Sequence, residues 1–337
     1  MTLTTSHRLE GLEPDNLLAF LAMLGLLRSL EAVDRYRSAS EKLRPRISWD
    51  ISNPPRRPRL HIAVAASQND VADTANKGLA LLSPSYDLGD SVRADLNYSR
   101  EEARTMLLGA AEVATSSSRN HADLLAALMS DAAVKDSKDS EKAPIDPTPF
   151  CLLFGQGHQH FLERLTKAPN EESPPQRGRG KSAKTISASE CLSEALFAPW
   201  HREDPTTLSF RWDPEEDVRY ALMAGDPTDP LYKGGTQHGA NRLAAVGLVT
   251  LTILPEMRAG RVRPSVIGGT FGTEGFSFAW PIWKEPLSLS AIRSLLSHPD
   301  LRKNGDLDYL GIDHVMVTRR ISVGKFMNFT HSRVLAM

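Results

Sequence analysis

The stretch PDNLLAFLAMLGLLRSLEAVD, residues 14–34, decides how the rest of the chain is read. Asp15 or Asn16 stands where a side-chain oxygen can accept from the first unpaired helix amides, and strong helix formers run on through about Ala32. Leu17, Leu21, Leu24 and Arg28 follow one stripe, while Leu18, Met23, Leu26 and Leu30 fill much of the remaining circumference. Such a helix is expected to be covered on more than one side. Gly25 lies in its middle at a cost in helix stability, for which close approach of another element would compensate. The uncharged run Leu17 to Leu27 is well short of the ~20 residues a membrane-crossing helix needs. The segment before it, acidic and without a small-residue cleavage pattern, does not read as a secretory signal.

Working outward, RPRISWDI (44–51) and RPRLHIAV (57–64) predict two short strands around Pro54-Pro55, with Ile47, Trp49 and Ile51 alternating as on a half-buried strand. A helix packed on a small antiparallel sheet is therefore the expected opening. Further helices are expected around Asp70 to Leu82, Ser99 to Glu112, Arg119 to Met129, His158 to Lys167, from Ser189, and over Ser288 to Leu296. TLSFRWD (207–213) alternates like a strand, and NRLAAVGLVTLTIL (241–254) reads as a compact apolar element. VRPSVIGGTFGTEGFSFAWPIW (262–283) is extended-prone, and DHVMVTRRISVGKFMNFT (313–330) reads as strand pairs or one strand interrupted near Gly324. This order predicts an α+β fold, helices packed around antiparallel sheet elements, rather than regular βαβ repetition.

Two segments lose hydrophobic periodicity: SDAAVKDSKDSEKAPIDPTP (130–149) and KAPNEESPPQRGRGKSAKTIS (167–187). The second marks residues 168–184 as a flexible linker between a helix-rich α+β region, 1–167, and a second α+β region, 185–337. A single elaborated domain also suits the length of 337 residues. With 41% hydrophobic and 24% charged residues the chain can build a real core, which excludes a wholly disordered, collagenous or disulfide-held protein. Forty Lys and Arg against forty-one Asp and Glu give a net charge of -1, so affinity for a polyanion must come from the placement of charge. Cys151 and Cys191 alone make neither a disulfide framework nor a four-cysteine metal site, and read as reduced, buried thiols of a cytoplasmic protein.

The phosphate loop GxxxxGK[ST], the dinucleotide turn GxGxxG, the zinc helix HExxH and the nucleophile elbow GxSxG are all missing from the sequence. Gly268, Gly269, Gly272 and Gly275 have the wrong spacing for a dinucleotide turn and read as turns. His158, His160 and Cys151 supply metal-compatible atoms without completing a tetrahedral set, so no metal or cofactor is expected. In RWDPEEDVRY (211–220), Asp213, Glu215, Glu216 and Asp217 are expected to cap and to make turns rather than to act as catalytic acids.

Three stretches carry nucleic-acid candidates. In DPLYKGGTQHGANRL (229–243), Lys233, Thr236, Gln237 and His238 can converge at the amino end of a helix containing Arg242, where free amides attract phosphate. The same residues can make a partner contact or simply a polar loop and cap. The stretch from His314 to Met337 contains Arg319, Arg320, Lys325 and Arg333 and no acidic residue, with Phe326 and Phe329 beside them. The linker run QRGRGKSAK (176–184) adds Arg177, Arg179, Lys181 and Lys184, which either gain phosphate contacts on ordering or remain solubilising.

Taken in order, GLEPDNLLAFLAMLGLLRSLE (11–31), FGQGHQHFLERL (154–165), ALFAPW (195–200), RWDPEEDVRYAL (211–222) and GTQHGANRLAAVGL (235–248) resemble an accessory or effector family of type I-U, or I-G, CRISPR systems. The resemblance is to the Cas3-extension family or, as the alternative, to a related large-subunit family of those systems, and it spans most of the chain through Leu248. It implies antiviral defence by RNA-guided interference, near the surveillance complex or its Cas3 nuclease-helicase, with effector subunits or Cas3 and crRNA or target DNA as partners. That no membrane is expected follows from the short uncharged run Leu17 to Leu27. It transfers no catalytic residue to a numbered position. The chain lacks the helicase phosphate loop and the His-Asp dipeptide of the HD nuclease, so it looks like an associated subunit or separated extension. The expected function is a non-catalytic component supporting nucleic-acid engagement or Cas3 docking. A protein-interaction adaptor without nucleic-acid contact is the alternative, and an uncharacterised enzyme the third.

Overall fold

The computed structural model describes residues 5–135, 142–156, 159–170, 176–177, 181, 183–205, 209–216, 235–303, 307–323 and 326–335. The fold is α+β. Among the described residues, eight α-helices are α1 (Leu17–Asp34), α2 (Gln68–Leu82), α3 (Arg100–Ser116), α4 (Asn120–Leu128), α5 (Phe161–Lys167), α6 (Ala188–Phe197), α7 (His238–Gly247) and α8 (Leu289–Leu296). Strands β1 (Thr5–Arg8), β2 (Arg46–Asp50) and β3 (Arg57–Ile62) form an antiparallel sheet in the order β1-β3-β2, with Trp49 opposite Pro58. Short hairpins follow: β4 (Phe154–Gln156) with β5 (Gln159–His160), β6 (Gln176–Arg177) with β7 (Lys184–Thr185), and β8 (Ile253–Arg258) with β9 (Arg261–Val266). The largest sheet runs β10 (Gly269–Gly272), β11 (Gly275–Trp283), β12 (Ile312–Val323), β13 (Phe326–Phe329), with β14 (Arg333–Val334) also paired to β12.

α1 is the axis of the molecule. Asn16 caps it, its Oδ1 accepting from the Ala19 amide at 3.3 Å, and from Leu17 to Leu30 every side chain is buried. The uniform burial has three causes. On one side α7 comes so close that a Cβ on Gly25 would lie 1.8 Å from the Leu243 carbonyl oxygen, and one on Gly247 would lie 2.0 Å from that of Leu21. Small residues at a helix crossing are what permit such backbone contact. On a second side α2 packs against Ser29 through Gly78. On a third, Phe20 stacks on Trp280 of β11 with ring centroids 5.1 Å apart. Beyond it Phe150 packs among Phe276, Phe278 and Phe329, which extends the core beneath the largest sheet.

The hydrophobic core is continuous across residues 168–184: Leu21, Leu24, Leu243 and Val246 belong to the same buried cluster. Within that span the described residues differ, with Asn170, Gln176, Lys181 and Lys184 exposed. Ala168 and Pro169 are buried, and Arg177 sits in the β6–β7 hairpin. The Ala168 and Pro169 carbonyls accept from Arg242, and Arg177 is paired with Asp204 and Glu194. TLSFRWD departs from expectation. Its described part, 209–213, is irregular, because Phe210 and Trp212 stack on one another at 4.5 Å and the Phe210 amide donates to Asn241 instead of to a neighbouring strand. The apolar segment at 241–254 resolves into the body of α7, a short 3-10 turn and the start of β8. β1 had no signal beyond four polar-leaning residues. It exists because β3 presents a free edge to it.

Leu21→Asp places an unpaired carboxylate at a fully buried position. It is expected to cost about 4 kcal/mol or more, or to abolish recovery of folded protein. Leu108→Asp, on the exposed face of α3, is expected to stay within about 0.5 kcal/mol of the parent in denaturant unfolding. Equal effects at the two positions would refute the burial assignment for α1.

Candidate functional site

The polar residues around the amino end of α7 form one internal junction. Asp204 is fully buried, and its Oδ2 accepts the His238 amide at 2.9 Å. A protein carboxylate thus occupies the helix terminus where a phosphate was expected, and it satisfies the His238 amide and faces the partial positive charge of the terminus. Arg177 reaches in from β6. Its Nε donates to Asp204 Oδ1 at 2.9 Å and its Nη1 pairs with Glu194 Oε2 of α6 at 2.7 Å. Burial alone would depress the guanidinium pKa, but the bonds to Asp204 and Glu194 raise it above the ordinary value.

A second chain of bonds locks the turn at 213–216 to both central helices. Asp213 Oδ1 accepts from Asn16 Nδ2 at 2.9 Å and from the Glu215 amide at 3.1 Å, while Arg202 Nε donates to Oδ2 at 2.8 Å. Thr236 Oγ1 donates to Glu216 Oε2 at 3.1 Å and accepts from Asn241 Nδ2 at 2.8 Å. Asp213 therefore caps a turn that contains Glu215 and Glu216, whose own carboxylates take His331 and Thr236, while Asp217 lies outside the described residues. A network of this kind is stabilising when its members are satisfied and costly when one is removed.

Of the residues expected to contact phosphate, Thr236, Gln237, His238 and Arg242 are buried in the junction and below it. Arg242 donates from Nε to the Ala168 carbonyl at 3.1 Å, from Nη2 to that of Pro169 at 3.0 Å and from Nη1 to Asn76 Oδ1 at 3.2 Å. It ties α7 to the chain after α5, so an exposed phosphate-binding role for these four is not what the fold presents. Lys233, Lys325, Arg179 and His158 lie outside the described residues. Lys181 and Lys184 are exposed.

The carboxy-terminal candidates do not make one patch. Arg319 and Arg320 are neighbours on β12, and successive strand residues point to opposite faces. Arg320 turns inward, where Nη1 donates to the Pro149 carbonyl at 3.1 Å and the guanidinium lies over Phe276 at 5.9 Å. Burial lowers its pKa. Arg319 faces outward and pairs with Glu274. Arg333 is exposed on β14, opposite Val317. Acidic residues distant in sequence also reach the region, since His331 Nε2 lies 2.8 Å from Glu215 Oε1. A run without acids in sequence is thus not an acid-free surface. Arg320→Glu is expected to destabilise the fold by about 1–3 kcal/mol, by setting a half-buried carboxylate against the Pro149 carbonyl, and Arg319→Glu by under about 1 kcal/mol. Paired thermal melts distinguish the two.

Both cysteines are buried and free. Burial raises both thiol pKa values, that of Cys191 to about 11, which keeps them protonated and poor nucleophiles at neutral pH. Among the described residues no group of three or more His, Cys, Asp or Glu side chains is arranged to hold a metal ion, and no helix is long and apolar enough to cross a membrane.

The junction's main members, Asp204, Arg177, Glu194 and Asn241, escaped the sequence reading as a set. Asp204 and His238 are far apart in sequence, and no spacing rule joins them. The one available signal was Asp204 before Pro205, a common turn and cap dipeptide.

His238 gives the junction a pH dependence. Burial, with Arg242 and Arg177 adding to it and Asp204 opposing, lowers its pKa to about 4. Between there and the unfolded value of ~6.5 the unfolded chain binds more protons, so stability is complete above ~6.5 and falls as the pH drops toward 4. The limiting slope for one such group is about 1.4 kcal/mol per pH unit. His238→Gln is expected to flatten that part of the stability profile, measured by urea unfolding at several pH values.

Comparison with known proteins returns no matching family model and no matching curated protein.

Proposed function

We propose that the chain is a non-catalytic component or accessory of an RNA-guided type I CRISPR interference complex, supporting nucleic-acid engagement or Cas3 docking. The reading rests on the resemblance of the five sequence phrases. The observation that carries it further is where the side chains of those phrases go. Asn16 of the first binds Asp213 of the fourth, and Asn241 of the fifth binds Thr236, itself bonded to Glu216 of the fourth. These five polar side chains thus hold helices and turns together, as suits a subunit whose task is to present surfaces rather than to transform a substrate.

One observation favours the adaptor alternative, in which the chain makes no nucleic-acid contact. Arg242 and Arg320 are committed to backbone carbonyls, and Arg319 has a carboxylate partner.

A plasmid-interference assay tests the reading. Deleting the gene from cells that carry the array and neighbouring genes is expected to abolish interference, with restoration by the parent chain. The purified chain is expected to show no ATP turnover and no metal-dependent DNA cutting. Interference that persists in the deletion strain, or ATPase or nuclease activity that follows the polypeptide through purification, would overturn it.

A further inference from the structure

A cleft of about 380 Å³ opens where the end of α1, the end of α2 and the start of α4 meet, lined among others by Ala32, Arg35, Tyr36, Ser85, Asn120 and His121. Clefts of roughly 300–1,000 Å³ suit small ligands or one unit of a polymer. Tyr36 stands on its rim with 79% of its surface exposed, although an aromatic ring of that size favours removal from water. Beside it Arg35 makes a single long hydrogen bond, from Nη1 to Asn120 Oδ1 at 3.4 Å, and no carboxylate among the described residues pairs with it.

The nearest acids are already engaged. Asp34 accepts the amides of Leu43 and Arg44 at 2.8 and 2.7 Å, and Asp123 accepts both Nε and Nη2 of Arg119. Glu31 is largely buried, and that burial raises its carboxyl pKa. Positive charge is offset only in part: Asp123 acts on Arg28, and Arg28 and Arg35 both act on Glu31, but no carboxylate among the described residues lies in ion-pair contact with Arg35. Arg28 lies on the α1 stripe that continues through Ala32 to Arg35, is only 9% exposed, and leaves its Nη2 without a hydrogen-bond partner. His121 donates from Nδ1 to the Ser85 carbonyl at 2.8 Å, which fixes the ring at the cleft wall.

We propose that this cleft binds single-stranded nucleic acid, with one base stacked on Tyr36 and the adjoining phosphate on Arg35. A single strand fits better than a duplex because only an unpaired base offers its face to an exposed ring, and a guanidinium beside an aromatic is the pairing such sites use. The inference deepens the preceding reading and rests on it for the kind of polymer. Neither of its two principal residues was among the sequence candidates.

Fluorescence anisotropy of the full chain with labelled oligothymidylate and oligouridylate, titrated with salt, tests it. Tyr36→Ala is expected to weaken binding about tenfold, and an abasic strand of equal length to reproduce that loss. Arg35→Gln is expected to weaken binding several-fold and to reduce the salt slope by about one phosphate contact. Tyr309→Ala, at a tyrosine 72% exposed elsewhere on the surface, is expected to bind like the parent. Circular dichroism of each variant should match the parent, since neither Tyr36 nor Arg35 supports the core. If the parent binds and both cleft variants bind equally well, the cleft assignment falls while the nucleic-acid reading of the chain stands. If the parent binds neither strand yet assembles with the effector subunits, the cleft proposal falls and the adaptor alternative is what remains.

Discussion

Gly25→Ala is expected to lower the unfolding free energy by about 3 kcal/mol or more, against the direction helix propensity alone would give. Alanine in a helix interior is worth about 1 kcal/mol over glycine. At Gly25, however, the added carbon would lie 1.8 Å from the Leu243 carbonyl oxygen, and a backbone atom cannot rotate out of its way. Either α7 moves outward along its length, losing contacts along the crossing, or the crossing angle changes, and overpacking of this kind commonly costs about 1–3 kcal/mol, with rigid sites above that. Gly109→Ala supplies the opposite sign. At that position on α3 nothing lies within 4 Å of the new carbon, so a gain of about 0.5–1 kcal/mol is expected. Urea unfolding of the two variants checks both signs. A stabilised Gly25→Ala protein would mean that α1 and α7 do not touch at backbone distance.

Asp204→Ala is the second large effect. It removes the amide acceptor of α7 and half of the anionic partnership of Arg177 in one step, while Arg177 remains in the interior with Glu194 alone. Breaking a buried pair by removing one partner costs about 3–5 kcal/mol, and losing a helix cap about 1 kcal/mol. Asp204→Asn keeps a side-chain oxygen for the cap and removes only the charge, so a smaller loss is expected from it. The double variant Asp204→Ala with Arg177→Met is expected to recover part of the stability lost by the single one, because no unpaired charge is left behind. Additive losses in that cycle, measured by denaturant unfolding, would show that the two side chains are not coupled.

Much of the fold was legible because its signals are local. The continuous apolar face and Asn16 cap announce α1, the alternation of Ile47 and Trp49 announces β2, and α2 and α3 begin within two residues of where the sequence places them, at the Ser67 and Ser99 caps that the structure shows. The close approach at Gly25 was legible too, though not its partner, since Gly247 carries no mark in sequence that assigns it to α1 rather than to any other helix. The site was read less well. A cluster such as Thr236, Gln237, His238 and Arg242 looks like a phosphate cradle when its surroundings are solvent and like a structural knot when Asp204 and Ala168 fill them, and residue types alone do not choose. Adjacent arginines posed the same problem: Arg319 and Arg320 are neighbours in sequence and opposites in space. Tyr36 was passed over for the converse reason, because an exposed ring is visible only once the burial of every other aromatic around it is known.

The central claim, that this protein is an assembled part of an RNA-guided complex, is tested most directly by native mass measurement of what co-purifies with the tagged full chain from cells expressing the neighbouring genes and array. The account predicts a defined assembly whose mass includes this chain, at least one effector subunit and a guide RNA, and from which Leu21→Asp is lost. A homogeneous species containing only this polypeptide, folded and free of both protein partner and RNA under the same conditions, would contradict it.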